Sequence, residues 1–363
     1  MSELPHPFAD MMAHFLAARK NTRSEHKSEI WDVFQEDFES VIAAVDSWPT
    51  FLRNSISTGF NDDLVRWVPG ADGGSSVEGD TPWNRRLNGD FSNLLPANLE
   101  TPEQQKEIQN LFAAILTICG NDFVLTNLAP DTGSPPTVGL DFRENVDAPL
   151  QNYRVCFHDL SLIYHCWQVI RAAASLPGDL ASVVEIGCGF GGMIAKIKDL
   201  YPDASYVLFD LPEVNSVQTY YLSQRFPEAR ILGFCDFQER GSSVFRDNAD
   251  FLILPGWLIE EMPPETVDLA INMRSMMEMT PETIGFYFDN LHRVMRIGGV
   301  FACTNRYQKL SVLKEYPFDD RWRILLSQTS NMQGHVHELI VERTTTSQPF
   351  SVRTAMKSLA PFV

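Results

Sequence analysis

The sequence predicts an α/β fold in which a mostly parallel sheet, with an antiparallel edge, follows a helical N-terminal region. From about residue 155 onward, short apolar strand-like segments alternate with helical ones, the pattern of a parallel sheet covered on both faces. The last two strand-like segments have little helix between them, which favours an antiparallel pair at one edge. A glycine-rich turn directly after the first strand indicates a ligand-binding strand end.

Eight segments are predicted as strands from their short runs of β-branched and other apolar residues. They are Ser182–Gly187, Ser205–Asp210, Arg230–Phe234, Phe251–Leu254, Val267–Met273, Gly299–Thr304, Arg323–Ser327 and Val336–Glu342. Helices are predicted at Val155–Ala174, Met193–Leu200 and Leu291–Arg296.

The chain divides, on this pattern, into three parts. Residues 1–150 form a helical accessory region that serves as a lid or in dimerisation, residues 151–343 the α/β domain, and residues 344–363 a C-terminal tail. Within the first part, apolar residues recur at helical spacing, and long loops are predicted at 68–97 and 128–150. The apolar residues are Trp31, Phe34, Phe38, Ile42 and Val45, followed by Leu111, Phe112, Ile115 and Leu116.

The composition of the chain argues against several classes of substrate and binding partner. A formal net charge of −18, with no run of Lys and Arg, argues against a nucleic-acid substrate. No apolar stretch is long enough to span a membrane, and the N-terminus lacks a signal-peptide pattern. The six cysteines show no zinc-site spacing, so we expect no structural metal and a reducing cytoplasmic location. A small-molecule or glycan substrate and a possible homodimer fit these features.

The glycine-rich turn follows the sequence Val183-Val184-Glu185-Ile186 and reads Gly187-Cys188-Gly189-Phe190-Gly191-Gly192. Taken alone it also fits the GxGxxG pattern of nicotinamide enzymes. Glu185, two residues before Gly187, is placed to receive a cationic amino group. Asp210 ends the next strand, where a carboxylate can accept both ribose hydroxyls.

A helix, the Gly298-Gly299 turn and a strand follow at the distance typical of the fifth strand in class I methyltransferases. Together these features predict a Rossmann-like class I methyltransferase sheet that binds S-adenosylmethionine. A nicotinamide oxidoreductase, a non-catalytic binding protein and a turn without a ligand are the alternatives.

Eight residues are predicted to contact the cofactor: Glu185, Gly187, Cys188, Gly189, Asp210, Leu211, Trp257 and Asn272. The adenine position is open between two strand ends, Cys235-Asp236-Phe237 and Leu254-Pro255-Gly256-Trp257. Spacing to the following strand favours the second, in which Trp257 is either a stacking face or a core residue.

The segments VVEIGCGFGG, VLFDLPEV, QTYYLS, INMRSMMEM and IGGVFACTNR together resemble sugar O-methyltransferases of bacterial polysaccharide and secondary-metabolite clusters. The resemblance covers roughly residues 150–343, and Met276 and Met277 stand where that family usually has an aromatic residue. It implies methyl transfer to a sugar hydroxyl; an oxygen or nitrogen of a small non-sugar metabolite is the alternative acceptor.

Catalytic candidates lie mainly after the predicted strands Val267–Met273 and Gly299–Thr304. Glu278 is predicted to accept the acceptor's proton, to hold a hydroxyl or to cap the next helix. Asn305 is expected to point into the same crevice, and Arg306 to hold an anionic group or form a surface salt bridge. His158 is a candidate base on the helix before the glycine turn. His335 and His337 alternate on a late strand, either as half of a metal site or at the rim of an edge strand.

Overall fold

The computed structural model describes residues 6–21, 102–128, 138–139, 154–155 and 157–357. The predicted helix over residues 31–45 and the loop at 68–97 lie outside these residues, as does most of the loop at 128–150. Two compact units are formed, one by Met1–Gln35 with Gln168–Val363 and the other by Glu36–Trp167. The predicted division at residues 150 and 343 stays a prediction, and the first described helix packs within the unit that contains the large sheet.

Ten strands and nine α-helices are found among the described residues. The strands are β1 Val138–Gly139, β2 Arg154–Val155, β3 Ser182–Ile186, β4 Ser205–Asp210, β5 Ile231–Leu232, β6 Phe251–Pro255, β7 Val267–Met273, β8 Met295–Arg306, β9 Trp322–Thr329 and β10 Val336–Arg343. The helices are α1 His6–Lys20, α2 Pro102–Cys119, α3 Asn121–Thr126, α4 Phe157–Ala173, α5 Gly192–Leu200, α6 Pro212–Arg225, α7 Phe234–Arg240, α8 Pro281–Val294 and α9 Val352–Lys357.

The larger unit is organised around an eight-stranded sheet in the order β5-β6-β4-β3-β7-β8-β10-β9. The first six of these strands are parallel, and β10 pairs antiparallel with both β8 and β9. The predicted fold class, a mostly parallel sheet with an antiparallel edge, is confirmed. The order reverses beside β3, and open α/β sheets bind ligands at the carboxyl ends of the strands that meet at such a point.

The central strands are apolar throughout because both faces of the sheet are covered. Four of the five residues of β3 and six of the seven residues of β7 are buried. Helix α8 begins at Pro281 and is capped by Thr280, whose side chain accepts a hydrogen bond from the Thr283 backbone. These local signals fix where the segment between β7 and α8 ends, and this segment carries several candidate site residues.

The segment around Gly298 and Gly299 differs from its prediction in one respect. Helix α8 ends at Val294, and β8 begins immediately at Met295, so the predicted helix over Leu291–Arg296 is two residues too long. Gly298 has φ +84°, and the pairing of β8 with β7 shifts register between Val267 and Leu269. The glycine pair is therefore an irregularity inside a long strand rather than a turn before it.

The C-terminal segment is partly structured. Helix α9 lies within the predicted tail at 344–363 and buries Val352 and Met356 completely or nearly so. At the other end of the chain, α1 packs against α6 and α7. The imidazole of His14 accepts a hydrogen bond from the Cys235 backbone at 3.0 Å, which anchors α1 to the start of α7.

Candidate active site

The glycine turn between β3 and α5 has a backbone that other residues adopt only with strain. Gly187, Gly189 and Gly191 have φ values of +68°, +56° and +92°. A Cβ on Gly187 would overlap the side chain of Ser275. The Ser275 hydroxyl in turn donates to the Ile186 carbonyl at 3.0 Å, so the segment after β7 rests directly on the turn. Ser275 was not among the predicted site residues.

Glu185 is buried at the carboxyl end of β3, with 1% of its surface exposed. Its Oε2 atom has no hydrogen-bond partner among the residues that the structure describes. Burial raises the pKa of Glu185 well above its usual value, and the charge of Asp210 adds to this effect. A buried carboxylate without a partner is costly, and a cationic group beside it would remove that cost.

Asp210 ends β4, and both of its carboxylate oxygens are engaged. The Leu211 backbone donates to Oδ1 at 2.8 Å, and the Gln218 amide donates to Oδ2 at 2.9 Å. The same amide donates to the Gly189 carbonyl at 3.0 Å, so it joins the acid to the glycine turn. Burial raises the pKa of Asp210 to about 7, although these hydrogen bonds act in the opposite direction.

Gln218 was missed as a site residue, although it opens one of the segments that carry the family resemblance. Leu211 contributes through its backbone, as the residue that precedes α6. The thiol of Cys188 turns back to donate to the Glu185 carbonyl at 3.1 Å. Burial, aided by the charges of Glu185 and Asp210, raises the pKa of this thiol, so it stays protonated.

Asn272 and Asn305 form a fully buried pair at the carboxyl ends of β7 and β8. The Asn305 amide donates to Asn272 Oδ1 at 2.8 Å, and its own oxygen accepts from the Met277 backbone at 3.1 Å. The Asn272 amide donates to the Ile186 carbonyl at 2.9 Å. Both side chains therefore hold the segment after β7 in place, and a direct role of Asn305 toward the acceptor stays a prediction.

Glu278 follows β7 on a short 3-10 turn at Met276–Glu278 and forms an ion pair with Lys309. Lys309 belongs to a tight turn after β8, and Leu310 of that turn donates from its backbone to the Met277 carbonyl at 3.0 Å. Both charged side chains retain some exposure, 18% for Glu278 and 30% for Lys309. The structure thus brings a carboxylate and an ammonium group together at this edge of the sheet, and the sequence predicted only the carboxylate.

The sheet order shows which of the two candidate strands for the adenine side, β5 or β6, lies next to β4. β6 pairs with β4, whereas β5 has only two residues and lies outside β6. The turn at Gly256-Trp257 therefore adjoins Asp210, while Cys235 and Asp236 begin helix α7 beneath α1. Trp257 is 5% exposed and packs in the core.

The remaining predicted residues are placed as follows. Arg306 is the last residue of β8 and is half-buried. His158 is the second residue of α4 and belongs to the Glu36–Trp167 unit, so its catalytic role stays a prediction.

The predicted rim position of His337 is wrong, because β10 lies between β8 and β9 and His337 is buried. Its ring hydrogen-bonds the hydroxyls of Ser327 and Tyr307, and burial lowers its pKa to about 4. His335 is exposed just before the strand. In the described part of the chain, no group of three or more His, Cys, Asp or Glu side chains is arranged to hold a metal ion.

Comparison with known proteins finds a family model that matches part of the chain. Residues 155–254 match the family model of the O-methyltransferase domain. The predicted enzyme class, an S-adenosylmethionine-dependent methyltransferase, is confirmed by this match within the α/β fold described above, and so is the predicted cofactor. No curated protein is significantly similar to the chain.

Solved structures similar to this chain include an O-methyltransferase family 2 protein from Planctomyces limnophilus in complex with apigenin. It is 16% identical, with a TM-score of 0.33, and the match covers 51% of this chain and 60% of that protein. A geranyl diphosphate C-methyltransferase from Streptomyces coelicolor is 13% identical, with a TM-score of 0.36, and the match covers 52% and 77% of the two chains. A TehB-like methyltransferase from Corynebacterium glutamicum is 12% identical, with a TM-score of 0.35 and 48% and 86% coverage.

The donor set around the glycine turn fits S-adenosylmethionine. The unpartnered Oε2 of Glu185 suits a cationic amino group, and the Asp210 carboxylate suits ribose hydroxyls. The turn of Gly187 and Gly189 lets the backbone approach a ligand closely.

No helix among the described residues is long and apolar enough to cross a membrane.

Proposed function

We propose that this chain transfers a methyl group from S-adenosylmethionine to a hydroxyl oxygen of a small acceptor, and that the acceptor is a sugar. The observation that carries the proposal is the Glu278–Lys309 ion pair, held after β7 and β8 on the segment whose Ser275 contacts the glycine turn. Charged side chains that can donate and accept hydrogen bonds suit a hydroxyl-rich acceptor, whether a nucleotide sugar, a glycan or a glycosylated metabolite.

The cofactor site in this proposal consists of Glu185 for the amino group, Asp210 for the ribose, and the backbone of Gly187 and Gly189 for close approach. When bound, S-adenosylmethionine supplies an electrophilic methyl group to the acceptor oxygen. Asn272 takes part indirectly, because its amide fixes the end of β3. Trp257 and Leu211 border the nucleoside side through the turns that follow β6 and β4.

Glu278 is proposed as the group that takes the acceptor's hydroxyl proton, since general bases act within hydrogen-bond reach of the proton that they remove. Lys309 holds the carboxylate in place through their ion pair until the acceptor arrives. Asn305 positions the Met276–Glu278 turn through the Met277 backbone, and this support places Glu278 relative to the glycine turn. Alignment of the acceptor supplies much of the rate in such a displacement.

A second candidate acceptor is a small non-sugar metabolite with a hydroxyl group. The side chain of Leu310 is 50% exposed in the same turn as Lys309. An apolar side chain beside the ion pair favours an acceptor with an apolar face next to its reactive hydroxyl.

Two measurements test the proposal in sequence. Isothermal titration with S-adenosylhomocysteine should show micromolar binding at one site per chain, with NADH as the control ligand. Incubation with methyl-labelled S-adenosylmethionine and matched panels of sugars, nucleotide sugars and non-sugar alcohols or phenols should then label a sugar. Labelling confined to the non-sugar panel would replace the sugar with the second candidate, and absence of S-adenosylhomocysteine binding in folded protein would contradict the proposal as a whole.

A further inference from the structure

We infer that the hydroxyl group of Tyr287 is a binding determinant for the adenosine half of S-adenosylmethionine, acting as a hydrogen-bond donor where β4 and β6 end. The inference rests on the proposed use of this cofactor and adds a residue that neither the glycine pattern nor the strand ends indicate. Tyr287 lies in the middle of α8, far in sequence from both β4 and β6.

The position of the hydroxyl is fixed by its contact with Gly256. A Cβ on Gly256 would overlap the Tyr287 hydroxyl and would lie 3.8 Å from the Asp210 carbonyl oxygen. The hydroxyl therefore sits where β4 and β6 end, between the acid predicted to bind ribose and the turn predicted to border adenine. The absence of a side chain at position 256 is what allows the tyrosine to reach this point.

The hydroxyl is the only polar atom of a largely buried side chain, since Tyr287 is 6% exposed. A nucleoside bound beside Gly256 would give this hydroxyl an acceptor. Buried tyrosine hydroxyls usually have a partner, because leaving one without a bond is unfavourable. A core role alone would be served equally well by phenylalanine.

The electrostatic surroundings make this group a donor. Burial raises the pKa of Tyr287 above its usual value, and the charge of Asp210 adds to the effect. The hydroxyl consequently stays protonated throughout the physiological range. Asp210 can only accept hydrogen bonds when it is ionised, and Tyr287 supplies a donor for the ribose oxygens or adenine nitrogens that need one.

The test compares two ligands by isothermal titration: S-adenosylhomocysteine, and 5′-methylthioadenosine, which lacks the amino-acid half. Tyr287→Phe should weaken both by about three- to tenfold, the effect of losing one neutral hydrogen bond. Glu185→Gln should weaken S-adenosylhomocysteine but leave 5′-methylthioadenosine within about twofold of the parent protein. Tyr206→Phe is the matched control, because its hydroxyl donates to the Tyr201 carbonyl away from the site.

Gly256→Ala is a second test of the Tyr287 hydroxyl, because the added Cβ would overlap it. It should weaken both ligands, and it should do so less in the Tyr287→Phe background, where the overlapping oxygen is gone. Melting temperatures of each variant show whether the fold is retained.

The outcomes separate the inference from the proposed function. Unchanged affinity of Tyr287→Phe for both ligands, or a loss confined to S-adenosylhomocysteine, would overturn the inference and leave the cofactor assignment standing. Failure of the parent protein to bind either ligand would overturn both.

Discussion

The side chain of Ser275 occupies the space that a Cβ on Gly187 would need. Ser275 follows β7 and Gly187 follows β3, so this contact joins the cofactor turn to the segment that carries Glu278. Because the Ser275 hydroxyl also donates to the Ile186 carbonyl, a change in the turn will be transmitted to the proposed acceptor side.

Gly187→Ala is expected to destabilise the protein by about 2–4 kcal/mol, because overlap with Ser275 adds to the strain of a positive φ. It should also abolish S-adenosylhomocysteine binding. Gly241→Ala is the control for strain alone, since Gly241 has φ +58° and no atom within 4 Å of its Cβ position. Chemical denaturation measures both variants, and equal losses of stability would show that the overlap with Ser275 is unimportant.

Asp210→Ala is expected to weaken cofactor binding at least tenfold, about 1.4 kcal/mol, through loss of the charge-assisted bonds proposed to the ribose. Titration calorimetry at pH 8 measures the effect. Asp236→Ala serves as the control, because Asp236 lies at the start of α7, outside the proposed site. Unchanged affinity in a folded Asp210→Ala protein would remove Asp210 from the site.

Cofactor affinity should fall as the pH is lowered through about 7. Burial raises the pKa of Asp210 to about 7, so the free protein carries a protonated Asp210 below that pH, whereas ribose hydroxyls favour the ionised form. The difference between the parent protein and Asp210→Asn should therefore narrow from pH 8 to pH 6. A constant ratio across this range would mean that Asp210 does not titrate in the free site.

The raised pKa of Asp210 also makes the stability of the fold depend on pH, and stability should rise, not fall, as the pH is lowered. The pKa of Asp210 is raised on folding from 3.8 to about 7, so the folded state binds more protons than the unfolded state between these values. This contribution to stability is present below about pH 4 and is lost as the pH rises through 7. Asp210→Asn is expected to flatten the decline in unfolding free energy measured between pH 5 and pH 8, and a slope equal to that of the parent protein would contradict this.

Glu278→Gln is expected to lower turnover by a factor of about 10²–10⁴ while leaving affinity for S-adenosylhomocysteine within about twofold. Lys309→Met should also lower turnover, by releasing the carboxylate from its partner. Glu342→Gln is the matched control, because Glu342 pairs with Arg323 on the antiparallel edge. Near-normal turnover of Glu278→Gln would reduce Glu278 to a structural residue.

Asn305→Ala is expected to cost about 2–4 kcal/mol, because it leaves the Met277 backbone and Asn272 Oδ1 without their buried partner. Thermal unfolding measures the loss. A positioning role predicts that turnover falls together with stability and that Asn305→Asp, which keeps one acceptor, recovers part of both. Full stability with lost turnover would instead return Asn305 to a direct catalytic role.

The sequence by itself determined the strands, the glycine turn and the two acids. These features are local: apolar runs specify buried strands, glycines permit positive φ, and an acid at a strand end is recognisable from its neighbours. Glu185, Gly187 and Asp210 could therefore be named before any contact was known.

Only the tertiary structure decided which groups meet them. The sheet order places β6 rather than β5 beside β4, since hydrogen bonding between strands distant in sequence chooses the neighbour. It also brings Gln218 to Asp210, Tyr287 to Gly256 and Lys309 to Glu278. The side chains of Asn272 and Asn305 likewise meet only in the folded chain, where both are buried, because the burial of a polar side chain depends on everything packed around it and not on its place in a motif.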